Sequence, residues 1–394
     1  MIIVIIFNVK PKEGKSCDPP RPSDNAEAGS FAVISVVASA NPGEAKIGEV
    51  IRDRLWRRVG KEDETMILAG DIGGTKTNLA LFTPGAGRPR PVESRHLATA
   101  DYPSPEAIIA DFLRGRHHEV KAACLALAGP VVDGRCRFTN LPWRLSAETL
   151  ARRFGWQRCR LLNDVEATAH ALPVLAAPEF EALRPPAPAP DGNLAIMAPG
   201  TGLGMGLAIQ LGSEVIPLAS EGGHADFAPI DEETVSLWRY IQARRGRVTL
   251  ESVLSGAGLQ RIYQWRRHLG ETHPDPKTGQ RIEDSDDPPA QISALAIQQQ
   301  DPVCVRALAC FVRCLGAAAG NLALTATTRG GIYLAGGIAP KILPALKRGG
   351  FTDAFLDKGR FRNFLTTVPV RVILTESAPV LGAARVALAW ETET

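Results

Sequence analysis

The sequence predicts an α/β fold with duplicated halves, and three observations carry that expectation. Short apolar runs alternate with amphipathic helical stretches, the pattern of a largely parallel sheet covered by helices. A strand–glycine turn–strand unit at Met66–Phe82 returns about 130 residues later at Leu194–Ile209, as an internal repeat would. The 394 residues suffice for two cores.

In chain order, residues 1–65 stand apart. Met1–Phe7 is too short for a signal-peptide core and has no basic residue before it. Pro11–Asn25 is rich in proline, lysine and small polar residues and reads as disordered, Phe31–Ala38 as a strand, and Gly43–Arg58 as a basic amphipathic helix. The expectation is a poorly ordered N-terminal extension, or a start codon placed too early.

From Met66 onward, strands are expected at Met66–Gly70, Asn78–Thr83 and Ser94–Thr99, then a helix capped by Ser104 with Pro105 at its first position. Ala122–Ala128 reads as a central strand. Asp133-Gly134 between Val131-Val132 and Arg135–Phe138 is a hairpin signal. Ser146 is expected to cap a helix ending near Gly155, and Cys159–Leu162 to form a strand stopping at Asn163-Asp164, with a helix from Val165. Ala177–Gly192 is proline-rich and reads as a surface loop, as does the polar stretch Glu271–Pro288. The later part is mostly helical, with Asp301-Pro302 a clear helix start and Ala378–Trp390 a closing amphipathic helix.

Composition excludes several function classes. Forty-five basic against 42 acidic residues leave a formal charge of +3, which argues against nucleic acid or an anionic membrane as the main partner. No apolar run approaches the ~18–20 residues of a membrane span. Seven irregularly spaced cysteines with no CxxC pair argue against structural zinc and for a reducing, cytoplasmic setting. Cys310 and Cys314, one helical turn apart, read as core residues rather than a metal or redox pair.

The chemistry concentrates at the turns. Gly70-Asp71-Ile72-Gly73-Gly74-Thr75-Lys76 opens a strand rather than a helix, so it is neither a Walker A loop nor a dinucleotide fingerprint. Its exposed amides form a nest for phosphate oxygens, and Asp71 can hold a hydrated Mg²⁺. The second copy is Pro199-Gly200-Thr201-Gly202-Leu203-Gly204. Asp164, between a strand end and a helix start, suits a general base, with a simple N-cap as the bland alternative. Glu221, His224, Glu251, Asn163 and Asn140 are side chains that suit sugar hydroxyls, and Gly222-Gly223 would let backbone approach a ligand.

These segments, together with Glu251–Gly256 and Leu334-Ala335-Gly336-Gly337, resemble the bacterial ATP-dependent glucokinases. That is the group A hexokinase branch without a zinc motif, on the two-lobed actin/hexokinase/Hsp70 (ribonuclease H-like) fold with an inter-domain cleft. The agreement runs from about Met66 to the C-terminus, some four-fifths of the chain. The resemblance implies Mg-ATP and D-glucose as substrates, glucose 6-phosphate as product, and a homodimer. It implies that Asn163, Asp164, Glu221, His224 and Glu251 bind the sugar, with Asp164 as base and Asn140 as a further contact. Gly73, Gly74 and Thr75 would hold the distal phosphates, Gly200, Thr201 and Gly202 the other side, and Gly336 and Gly337 the adenosine, while Asp71 orients Mg²⁺ through water. Lys76 either adds a phosphate contact or points to solvent. The domains expected are 66–174, completed by the C-terminal helix 376–394, and 175–375. The alternatives are a kinase for another hexose or amino sugar, and a non-catalytic sugar-sensing regulator.

Overall fold

Residues 65–394 are organised by two mixed sheets that share one strand plan. The computed structural model describes residues 66–83, 87–116, 119–138, 141–185, 192–212 and 214–390, together with the backbone of 6–8 and 31–33. Met1–Glu64 is a separate unit, in which β1 (Ile6–Asn8) pairs antiparallel with β2 (Phe31–Val33). The expected helix at 43–58 and the segment 11–25 lie outside the described residues.

The first sheet runs β10-β6-β3-β4-β5, from β3 (Met66–Ile72), β4 (Lys76–Phe82), β5 (Pro91–Ala98), β6 (Val120–Leu127) and β10 (Arg158–Asn163). The second runs β11-β16-β15-β12-β13-β14, from β11 (Phe180–Arg184), β12 (Leu194–Pro199), β13 (Leu203–Leu211), β14 (Glu214–Leu218), β15 (Gly331–Leu334) and β16 (Val370–Ile373). In each, a glycine hairpin opens an antiparallel meander and two later strands add in parallel on the other side. The duplication read from the two turns therefore extends to whole sheets. A small third sheet comprises β7 (Val131–Val132), β8 (Arg135–Arg137) and β9 (Arg144–Ser146). Its first hairpin turns at Asp133 and Gly134, both at positive φ, as the two-residue loop demands.

Thirteen helices fill the layers among the described residues: α1 (Pro105–Leu113), α2 (Ala147–Phe154), α3 (Asp164–Ala171), α4 (Glu232–Arg245), α5 (Leu250–Val253), α6 (Gly256–His268), α7 (Lys277–Glu283), α8 (Pro288–Ile297), α9 (Pro302–Ala326), α10 (Leu343–Leu346), α11 (Gly350–Leu356), α12 (Arg362–Thr366) and α13 (Ala378–Ala389). Alternation along β3 gives both faces a core. Met66 and Leu68 meet Ile108, Ile109 and Phe112 of α1. Ile67 and Ala69 face a cluster that includes α3, α13 and Leu194, Ile196 and Ala208 of the second sheet. The chain's closing helix thus lies between the sheets, packed on β3, β6 and α3. On the far face of the second sheet, α6, α8, α9 and α11 form the largest core. The helix α9 is long and apolar enough to cross a bilayer, yet it is mostly buried inside this core, where Cys310 and Cys314 pack.

Three local expectations are corrected. Within the expected loop 177–192, Phe180–Arg184 is a strand, because it pairs antiparallel with β16 at the sheet edge. Ser146 occupies the N-cap position of α2 but its hydroxyl makes no capping bond; it ends β9 instead. The polar stretch 271–288 contains α7 and is pinned rather than loose. Glu271 accepts from Arg266 and Arg306, and His273 is buried, its Nδ1 2.7 Å from Asp301 Oδ2 and its Nε2 2.8 Å from the Tyr263 hydroxyl.

Asp301 does two jobs, since its other carboxylate oxygen accepts from the Cys304 amide and caps α9. Asp301→Ala is expected to cost about 2–4 kcal/mol, the lost cap plus a buried His273 left without its partner. Urea denaturation checks this, and a loss below about 1 kcal/mol would show that the segment is not held through Asp301.

Candidate active site

The first turn of α3 is built by its cap. Asn163 ends β10 in extended geometry and takes the N-cap position: its Oδ1 accepts from the Val165 amide at 2.9 Å, and its backbone amide meets Glu166 in a capping box. Its Nδ2 donates to the Gly129 carbonyl at 3.2 Å. Capping is therefore the work of Asn163, and Asp164 is the first helical residue rather than the cap. One Asp164 oxygen accepts from the Val165 amide at 2.9 Å, and the carboxylate also draws on its own amide and on the Asn163 side chain.

Electrostatics mark this carboxylate. Burial pushes Asp164 up to about 6, helped by the charge of Glu221 and opposed by its hydrogen bonds. At the end of β3, burial and then the charge of Asp164 push Asp71 up to about 7. No hydrogen-bond donor among the described residues satisfies Asp71. Asp164 thus lies within electrostatic reach of both Asp71 and Glu221, and no cation among the described residues offsets the charge of either aspartate. A hydrated divalent ion fits Asp71 on this ground, since one carboxylate plus water and phosphate oxygens is how Mg²⁺ is usually held.

Each glycine turn is braced from behind. In the first, the Gly73 amide closes onto the Lys76 carbonyl at 2.9 Å. Buried Thr99 donates its hydroxyl to the Gly73 carbonyl at 3.0 Å, and its amide to the Thr75 carbonyl. In the second, the Gly200 amide closes onto the Gly202 carbonyl, and the Gly256 amide holds the Gly200 carbonyl, each at 2.9 Å. Glu251 Oε2 accepts from the Leu203 amide at 2.9 Å. Hence Gly73 and Gly200 have spent their amides on the turns themselves. Those of Gly74, Thr75, Thr201 and Gly202 make no hydrogen bond among the described residues, nor do those of Gly336 and Gly337. The last pair adjoins the second turn, where the Ile338 amide donates to the Pro199 carbonyl.

The remaining predicted residues divide. Glu221 and His224 are exposed on the short turn Gly222–His224, which adjoins α5 and so Glu251. The approach that requires Gly223 is to this chain and not to a ligand, because a Cβ there would lie 2.0 Å from the Leu203 carbonyl. Glu251 sits on the second glycine turn, one oxygen already engaged. Lys76 pairs with Glu376 at the surface. Asn140 lies outside the described residues. Sequence reasoning missed Thr99 and Ser255, the braces. Ser255 caps α6 and donates to the Glu251 carbonyl, and a serine before a Gly-rich helix start is the signal that was there to find.

A close approach joins the sheets at this point. Cβ atoms on Gly204 and Gly206 of β13 would fall 2.5 and 2.6 Å from the methyl carbons of Val165. Bare backbone on β13 lets the first turn of α3 press directly on the second sheet.

A family model described as glucokinase matches residues 68–389. A Synechocystis glucokinase is 37% identical over 344 residues, covering 80% of this chain and 96% of its own. The structure of a glucokinase from an Antarctic psychrotroph superposes with a TM-score of 0.69 at 30% identity, covering 82% of this chain and 98% of its own. A ROK family glucokinase from Streptomyces griseus, solved in complex with glucose and AMPPNP, shares the fold with a TM-score of 0.57 at 23% identity, covering 82% and 99%.

The Val165 contact is directly testable. Gly206→Ala is expected to cost about 1–3 kcal/mol through overpacking, and Val165→Ala in the same chain should recover most of it. Additive losses in the double variant, read by urea melts, would mean that the contact is slack.

Proposed function

The chain belongs to the glucokinase family, and we propose that its cleft transfers the terminal phosphate of Mg-ATP to the 6-hydroxyl of D-glucose with Asp164 as general base. Glucose kinase activity follows from the family; the donor, the metal and the residue roles are our reading. One observation carries it: Asp164, which burial has made more basic, lies within electrostatic reach of Asp71, beside a glycine turn whose Gly74 and Thr75 amides are free among the described residues. Loose, in-line phosphoryl transfer asks for little beyond positioning, charge neutralisation and a place for the hydroxyl proton.

The roles follow from the geometry. Asp164 accepts the hydroxyl proton; a carboxyl with pKa near 6 is ionised at neutral pH and more basic than a free aspartate. Glu221, His224, the spare Glu251 oxygen and the remaining valences of Asn163 orient the sugar, with Asn140 as a further contact. The free amides of Gly74, Thr75, Thr201 and Gly202 bind phosphate oxygens, and Gly336 and Gly337 border the nucleoside. Asp71 would hold Mg²⁺ through water, supplying the positive charge that offsets the triphosphate.

We read the lobes as 66–174 with 376–394, and 175–375, closing over the sugar to exclude water as a competing acceptor. The chain is assigned to the group A hexokinase branch because its sequence lacks the paired cysteines of the zinc-motif relatives. A cytoplasmic homodimer is the form that this reading implies.

Asp164→Asn is expected to lower turnover by about 10²–10⁴-fold while glucose still binds, measured by a coupled assay and by calorimetry. Retained turnover would remove Asp164 from the mechanism. In the wild type, kcat/KM should rise with pH through about 6 as Asp164 ionises. The same shift has a stability consequence of definite sign. Because the folded pKa exceeds the unfolded value, the folded state holds the proton more tightly, and that stabilisation fades as pH climbs from about 4 through about 6. Asp164→Asn should therefore match the wild type in stability near pH 4 and exceed it near pH 8.

A further inference from the structure

We propose that the outer face of the β7-β8-β9 sheet is a binding site for a phosphate-bearing small anion, seated on Arg135, Arg137 and Arg144 and distinct from the glycine turns. The register fixes the arrangement. Arg137 lies directly opposite Arg144, and Arg135 opposite Ser146. Strand alternation puts these four side chains on one face, while Cys136 and Leu145, each 3% exposed, point into the core.

Three guanidinium groups are thus gathered on a patch two strands wide, with two of them directly across from each other, where like charges repel. Elsewhere in the same half, Arg95, Arg114, Arg116, Arg152 and Arg160 each have a carboxylate partner, while Arg158 donates to the Trp390 carbonyl and Arg153 lies over the Phe154 ring. Arg135, Arg137 and Arg144 have none among the described residues. The three arginines border a cavity of about 570 Å³ at the edge of the small sheet, which Ser146, Thr149 and Glu106 also line together with the apolar Pro130, Val132, Cys136 and Leu145. A concave site of this size admits a small molecule, and its charge is positive. Guanidinium forks match phosphate oxygens two at a time, and the Ser146 and Thr149 hydroxyls add donors.

Arg137 and Arg144 immediately flank residues 138–143, whose ends are tied by the Phe138 amide on the Trp143 carbonyl at 3.1 Å and by the edge-to-face Phe138–Trp143 pair. An anion bridging the two arginines clamps the base of that segment. The binding claim does not depend on the kinase reading.

The test is isothermal calorimetry of the full chain with inorganic pyrophosphate at low salt, comparing the wild type with R137S/R144S and R137K/R144K. The site predicts binding at least tenfold weaker in the serine variant and intermediate in the lysine variant, which keeps charge but loses the fork. Without anion, both variants should keep wild-type turnover, and removing the facing charges should not lower the melting temperature. Equal pyrophosphate binding by wild type and R137S/R144S, or no binding by either, overturns the proposal. So does a change of oligomeric state in R137S/R144S with pyrophosphate binding unaltered, which would identify the face as a contact between copies. Should the serine variant not fold, the lysine variant alone decides.

Discussion

The contact on which the rest of the site depends is the wedge of Val165 into the bare backbone of Gly204 and Gly206. It is non-polar and small, and it lies one residue from Asp164. It presses the first turn of α3, and with it Asp164, against the second sheet. Interiors are packed like crystals and transmit strain rather than absorb it. A displacement here would move Asp164 relative to the second glycine turn.

Around that wedge, two polar devices share the labour that one residue might have performed. Asn163 accepts from the Val165 amide at the helix start and ties that turn to the Gly129 carbonyl, so that Asp164 is not the cap. Burial then makes both Asp164 and Asp71 reluctant to ionise. Neighbouring acids with no counter-ion among the described residues cost folding free energy, and a bound cation is what would offset that cost.

Much of this was legible in the chain. Both glycine turns, the strand ends at Asp71 and Asn163 and the capped helices at Ser104 and Asp301 follow from local signals, and local geometry obeyed them. What escaped is non-local. Phe180–Arg184 became a strand because β16, nearly two hundred residues later, offered it an edge, and no alternation inside the proline-rich stretch announces that. The 271–288 segment looked like a polar loop because His273 and Glu271 carry their meaning in Tyr263, Asp301 and Arg306. Gly223 was read as an approach to ligand when it is an approach to Leu203; sequence shows that a backbone must come close to something, and not to what.

Duplication explains why, in the proposed site, backbone amides would meet phosphate and side chains would meet the sugar. A strand–turn–strand unit repeated in two sheets brings two sets of backbone donors, and backbone donors need no particular side chain to persist in both copies. The braces behind them have diverged completely, two threonines in the first half and a glutamate with a serine-capped helix in the second. Asp164 has no such twin: the parallel strand matching β10 in the second sheet is β16, which ends at Ile373, and no aspartate follows it before α13. Under the proposed function, two similar glycine turns with a single buried aspartate between them would give the site a direction: Glu376, the acid after β16, pairs with Lys76 at the surface instead.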